Sequence, residues 1–152
     1  MNETTRQYWD KFCKDNSIPP TFNVQAEQFG TPYTETANEL GQLIIQGEKT
    51  AASSVYILYQ LEGIPMPNVG LHTIVLDSED NPLGIIKTTE MTIIPMNKVP
   101  PQFALDEGDL SYEFWYNTHK IYFENLLKYH DIKFTDDILL VCERFQLIDV
   151  KT

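Results

Sequence analysis

The sequence predicts an α+β fold, a mostly antiparallel sheet flanked by several helices, and three patterns carry that expectation. Helical periodicity dominates the chain up to about Leu61. From Leu71 the pattern changes to alternating, β-branched runs, HTIVL and LGIIKTTEMTII, separated by a polar turn. A long apolar stripe at helical spacing, Ser111 to Tyr129, then precedes a last strand-like run, ILLVCERFQLIDV.

In chain order, Tyr8, Trp9, Phe12 and Cys13 mark a short amphipathic helix over residues 4–15, ended by Ser17-Ile18-Pro19-Pro20. Residues 21–29 read as extended, and Gly30-Thr31-Pro32 turns into a second helix from about Tyr33 to Gln46. That helix carries Ala37, Leu40, Leu43 and Ile44 on one face and stops at Gly47. Residues 48–52 are expected to be a connector, with a third helix from about Ser53 to Leu61. Residues 71–76 and 83–94 form a natural antiparallel hairpin around Asp77–Pro82. Pro95 to Pro101 breaks the pattern, and PPQFALDEGDL reads as a loop. In the helix that follows, Tyr112, Trp115, Tyr116, His119, Tyr122, Phe123, Leu126 and Leu127 form the stripe, with Ser111 as N-cap and Glu113 in the first turn.

The 152 residues, 42% hydrophobic, suffice for one domain with a core, and no linker, repeat or low-complexity run divides them. The expected organisation is one domain over residues 1–152, with 1–27 a helix and extended lead-in and 28–148 the domain core. A net charge of −11 repels polyanions at long range, so binding of bulk duplex DNA is not expected. RNA handled by such a chain would be met in a local pocket or as a single nucleotide. Cys13 and Cys142 stand far apart without CxxC or histidine spacing, so two buried free thiols are expected, with no metal site and no cofactor. The polar run MNETTRQYWD is no signal peptide, and no apolar run approaches the ~20 residues of a membrane span. A soluble cytoplasmic protein without membrane contact is the expectation.

The organising stretch is Gly47-Glu48-Lys49-Thr50-Ala51-Ala52-Ser53-Ser54. Lys49 is the only Lys or Arg between Asp15 and Ile86, a span that holds Glu27, Glu35, Glu39, Glu48, Glu62, Asp77, Glu79 and Asp80. With free amides at the start of a helix near Ser53, it would make an anion site for one phosphate or a developing oxyanion. A plain alternative is a solvated lysine at a helix end. His119, inside the apolar stripe, is either a general base or a hydrogen-bonded core histidine. Tyr56, Tyr59, Tyr112 and Trp115 either stack a base or fill the core. Glu143, which shares a face with Val141, Phe145 and Leu147, is a carboxylate on an apolar face: a site candidate, or the partner of a neighbour such as Lys87.

Taken together, QFG at 28–30, NELGQLIIQGEKTA at 38–51, YQLEGIPMPNVG at 59–70, VLDSEDNPLGIIKTTE at 75–90, FALDEGDLSYEFWYNTHKIYF at 103–123 and VCERFQLI at 141–148 resemble the ASCH domain family, in its longer, helix-rich branch. The resemblance implies a PUA-like β-barrel with flanking helices. It also implies RNA-related work: RNA or nucleotide binding and, in some members, hydrolysis of acetylated cytidine or of RNA. By position it makes Lys49 and Glu107 catalytic candidates, with Thr50 or Ser53 as a hydroxyl; Ser53, Tyr56, Asp109, Trp115, His119 and Glu143 are the binding candidates of the chain as a whole. Ala52 stands where the pattern has a second Thr, Tyr116 where it often has Arg, and Leu71 where it often has Asp. The leading expectation is a pocket at the GEKT motif that binds RNA, a nucleotide or a modified nucleoside. The alternatives are a hydrolase working through Lys49, a hydroxyl and Glu107, and a non-catalytic module whose acidic surface meets a basic protein.

Overall fold

The computed structural model describes residues 1–152. Five helices, α1 (Glu3–Asn16), α2 (Glu35–Ile45), α3 (Tyr56–Glu62), α4 (Pro101–Asp106) and α5 (Tyr112–Lys128), surround five strands. The strands are β1 (Val24–Gln28), β2 (Ala51–Val55), β3 (His72–Leu76), β4 (Pro82–Pro95) and β5 (Leu139–Val150). They form one sheet in the order β1-β3-β4-β5-β2, parallel between β1 and β3 and antiparallel elsewhere. Register shifts after Val75, Ile85 and Thr88 add local twist, and the long pair β4–β5 curls the sheet into a half-barrel with β1 and β2 at its open edges.

The predicted hairpin is β3–β4, and the long stripe is α5, whose N-cap Ser111 accepts from the Phe114 amide at 3.1 Å. Two expectations fail. Residues 51–55 are not a connector and helix start but the edge strand β2, paired from Ala51↔Arg144 to Val55↔Leu140, and α3 begins only at Tyr56. Pairing with β5 overrides the helix preference of Ala51-Ala52. PPQFALDEGDL is not all loop, because Pro101 opens the short helix α4 at a position where proline loses no hydrogen bond. The lead-in expected at 1–27 contributes β1 to the sheet, and α1 packs on it.

Helices cover both faces of the sheet. Trp9, Phe12 and Cys13 of α1 pack on Ile74, Leu76 and Ile85, while Ile44 of α2 meets Val75, Ile86, Phe29 and Phe145 on the inner face. This two-sided cover buries all five residues of β3. The largest apolar cluster lies outside β2 and β5, where Ala51, Val55, Leu140 and Cys142 meet Phe103, Trp115, Phe123 and Leu127 of α4 and α5. Cys13 and Cys142 are both buried free thiols. No helix is long and apolar enough to cross a membrane.

Gly84 marks the tightest approach between sheet and helix. A Cβ there would stand 2.7 Å from the Asp149 carbonyl oxygen and 2.7 Å from Ile45 Cδ1. Backbone cannot yield as a side-chain tip can, so Gly84→Ala should cost about 1–3 kcal/mol of stability in urea denaturation.

Candidate functional site

The connector from α2 to β2 brings Lys49 under α4. Gly47 ends α2 with φ +79°, and the amides of Glu48 and Lys49 return to the Leu43 carbonyl at 2.9 and 3.1 Å. Thr50 is then clamped between elements: its amide donates to the Asp106 carbonyl at 2.7 Å, and its own carbonyl accepts from the Phe145 amide at 3.0 Å. On the other side Gly108, with φ +96°, turns the chain out of α4. A Cβ on it would meet Leu43 Cδ1 at 3.3 Å and Lys49 Cβ at 3.7 Å, so glycine lets this turn rest on the lysine.

Lys49 and Glu107 therefore meet, 58 residues apart in sequence and each about 5% exposed or less. Lys49 Nζ has three oxygens within reach: Ala51 O at 2.9 Å, Glu107 O at 3.2 Å and Glu107 Oε1 at 3.4 Å. Glu107 Oε2 accepts from the Trp115 indole at 2.5 Å and from Ser53 Oγ at 2.7 Å. His119 Nε2 lies 3.4 Å from Oε1, while its Nδ1 lies 2.8 Å from the Trp115 carbonyl. Burial alone would raise the Glu107 pKa, but the Lys49 charge, then His119 and the Trp115 hydrogen bond, override it and hold the carboxyl down at about 2. Burial opposes charge on His119 as well, yet Glu107, the Trp115 carbonyl and Asp109 raise its pKa above the ordinary value. Asp109, half-buried beside them, is raised by its own burial, with His119 pulling the other way.

Lys49 is not a solvated helix-end lysine, and no helix N-terminus adjoins it; the anion site expected from free amides near Ser53 is absent, because Ser53 lies within β2. Ser53 instead supplies the hydroxyl inside the cluster. Thr50 lies at its rim, its hydroxyl 3.4 Å from the Asp106 carbonyl and exposed. Trp115 is fully buried, so its ring is committed to Glu107 and the core and offers no stacking face. Tyr56 is exposed at the start of α3, outside the cluster.

Glu143 belongs to the inner face of the sheet. It pairs across strands with Ala52, and its carboxylate accepts from Thr88 Oγ1 at 3.3 Å rather than pairing with exposed Lys87. Burial raises its pKa. Glu27 pairs with Val75, and Val75 and Ala52 pack in the same apolar cluster, so Glu27 and Glu143 share that face. Glu27 was not among the residues that the sequence singled out, since a Glu in a short alternating run reads as a solvent-facing strand position. Its side chain does keep solvent access, yet protein crowds the carboxyl enough to raise its pKa to about 7, with Glu143 adding to the shift and Lys49 opposing it. Tyr59, whose hydroxyl bonds Ser54 at 2.7 Å, is pushed by burial to about 12 and is within charge range of both acids.

Two surface concavities of about 320 and 350 Å³ lie elsewhere, one at the β3–β4 turn around Asn38, Asp77 and Ser78, the other beside Tyr112 and Tyr116. Neither contains a buried ion pair or a shifted acid comparable to Glu107 or Glu27, and chemistry rather than volume marks the site.

The profile of the family described as "ASCH domain" matches residues 25–149. No curated protein matches the chain. Among solved structures, protein EF3133 from Enterococcus faecalis V583 is 35% identical over 99% of this chain and 91% of its own, with a TM-score of 0.92. An ASCH domain from Lactobacillus crispatus JV V101 is 28% identical over 98% of this chain and 96% of its own, with a TM-score of 0.89. An ASCH protein from Zymomonas mobilis, at 14% identity over 84% of this chain and 71% of its own, shares the fold with a TM-score of 0.50.

Glu107→Gln keeps the shape but leaves Lys49 buried without its counter-charge, so it should destabilise the protein by about 3–5 kcal/mol at pH 7. The sign with pH follows from the depressed pKa. The stability contributed by ionised Glu107 is present above the ordinary value of 4.5 and lost as pH falls toward about 2. Denaturation curves of the two proteins should converge across that window.

Proposed function

The chain belongs to the ASCH domain family, and from that premise we propose that it binds one nucleoside-sized ligand, a free modified nucleoside or one unpaired nucleotide of RNA, at the Lys49–Glu107 cluster. The observation that carries this reading is the buried Lys49–Glu107 pair completed by Ser53, Trp115 and His119, beside an acid-bearing wall. Such a pair costs several kcal/mol per ion in desolvation, which apolar residues of the same volume would avoid.

Hydrogen-bond accounting narrows the ligand. All three oxygens around Lys49 Nζ belong to the protein, Arg144 is tied to Asp106 at 2.5 Å, and Lys87 lies beside His72. Only the single imidazole of His119 is left uncommitted near the cluster, and the net charge of −11 repels a strand of phosphates. What remains is a set of acceptors on both faces of β2, Asp109 with the Ser53 hydroxyl on the Glu107 side, and Glu27, Glu143, Ser54 and Tyr59 along the inner face of the sheet. That set complements the amino, amide and hydroxyl groups of a base or ribose.

A second reading, hydrolysis of an amide such as that of acetylated cytidine, or of RNA, is favoured by the 2.7 Å contact from Ser53 Oγ to Glu107. A carboxylate with a pKa of about 2 is a weak base, so Glu107 would act by holding Lys49 and Ser53 rather than by taking a proton. The acid with a base-like pKa is Glu27, near 7, on the inner face of the sheet.

Calorimetry with cytidine, acetylated cytidine, cytidine monophosphate and a short single-stranded RNA tests the binding reading. The free nucleosides should bind about tenfold or more better than the monophosphate, with little salt dependence. Ser53→Ala should weaken binding by about tenfold without unfolding the protein. Tighter binding of the phosphorylated ligands, with a steep salt slope, would overturn the assignment. Product analysis on the same incubations reads the hydrolytic alternative.

A further inference from the structure

Within the site proposed above, one donor remains uncommitted. We propose that His119 Nε2, and not Lys49, is the cationic donor that meets the ligand. Lys49 is nearly inaccessible at 5% exposure, and its three bonds all end on protein oxygens. The His119 side chain is 20% exposed.

Its ring is also fixed for this role. Nδ1 lies 2.8 Å from the Trp115 carbonyl, an acceptor only, so Nδ1 carries a proton in any charge state. Packing against Trp115 and Phe123, at centroid distances of 5.0 and 5.6 Å, holds the ring plane. That leaves Nε2 facing Glu107 Oε1. The two oxygens of Glu107 are loaded unequally: Oε2 takes the short bonds from Trp115 and Ser53, while Oε1 faces Lys49 and His119 at 3.4 Å each. A separation of 3.4 Å is long for a charge-assisted hydrogen bond, whose ordinary length is about 2.7–2.9 Å. Nε2–H is thus not held tightly by the carboxylate and can be shared with a carbonyl or ring nitrogen of a ligand in the ring plane.

The groups facing His119 come from three elements besides its own helix: Glu107 at the end of α4, Asp109 in the turn before α5, and Lys49 from the α2–β2 connector. The two acids favour the imidazolium and outweigh burial, in keeping with the geometry. The ligand feature recognised is therefore an acceptor, the carbonyl or imine edge of a base or amide, polarised by His119 while Glu107 balances the charge.

Because the inference rests on the proposed site, its test separates the two. Nitrogen-15 NMR of the free protein, with His119→Gln identifying the resonance, should find both ring nitrogens protonated at pH 6.5. A neutral His119 at that pH overturns the inference by itself. Binding of cytidine and acetylated cytidine is then followed by calorimetry across the imidazole midpoint in buffers of differing ionisation enthalpy. Wild type should lose affinity about tenfold per pH unit above the midpoint and take up about one proton per ligand bound. His119→Gln, a neutral donor, should bind more weakly below the midpoint and no longer take up a proton or lose affinity as pH rises, any remaining dependence running the other way as Glu27 ionises near 7. Wild-type binding that ignores pH and matches that of His119→Gln overturns the inference and leaves the site standing. Binding of neither nucleoside at any pH overturns the site and this inference together.

Discussion

The buried carboxylate of Glu107 is the constraint to which the rest of the site conforms. Removing it and Lys49 from water costs several kcal/mol per ion, and a buried charge persists only where its hydrogen-bonding capacity is met. Indole, hydroxyl, ammonium and imidazole all converge on this one side chain. They come from α5, β2, the α2–β2 connector and α5 again, so the carboxylate couples the sheet edge to two helices. The small residues of β2 make sense in this light. Ala51 and Ser53 face Trp115 and Glu107, where a larger side chain would displace the indole or the acid.

The same constraint gives the half-barrel its asymmetry. The outer face of β2 and β5 is closed by α4 and α5 around Trp115, whereas the inner face carries Glu27, Glu143, Thr88 and Ser54 among apolar residues. An acid with a depressed pKa, Glu107 against β2, and one with a raised pKa, Glu27 in β1, thus stand at the two edge strands of the sheet. Carboxylates driven apart in this way suit different chemical roles: one is a fixed charge, the other exchanges its proton near neutrality. Ala52 lies on the inner face of β2, across from Glu143, where the family pattern implies a second hydroxyl. Its methyl leaves Ser53, on the opposite face of the strand, as the hydroxyl joined to Glu107.

Much of the fold was legible because its signals are local. The β3–β4 hairpin followed from alternation around a polar turn, and α5 from its stripe and its Ser111 cap. The stretch 51–55 does not read as a strand, because Ala-Ala-Ser-Ser-Val has no strand signature of its own, and β5, which makes it one, lies about 90 residues later. Lys49 stands out as a lone cation and Glu107 through the resemblance, whereas Ser53 reads as a helix start and Glu27 as a solvent-facing strand position.

By itself the sequence determined the class of fold, the strands and helices with strong period, the charge that disfavours a polyanion, and the identity of the lysine and the acid. The tertiary structure alone decided what those residues can do. It closed Lys49 onto three protein oxygens, committed Trp115 to Glu107 instead of to a stacked base, and left His119 as the accessible cation. The physical reason is that hydrogen-bond capacity and desolvation are properties of a packed neighbourhood. They depend on residues brought together from 58 positions apart, which no local pattern encodes.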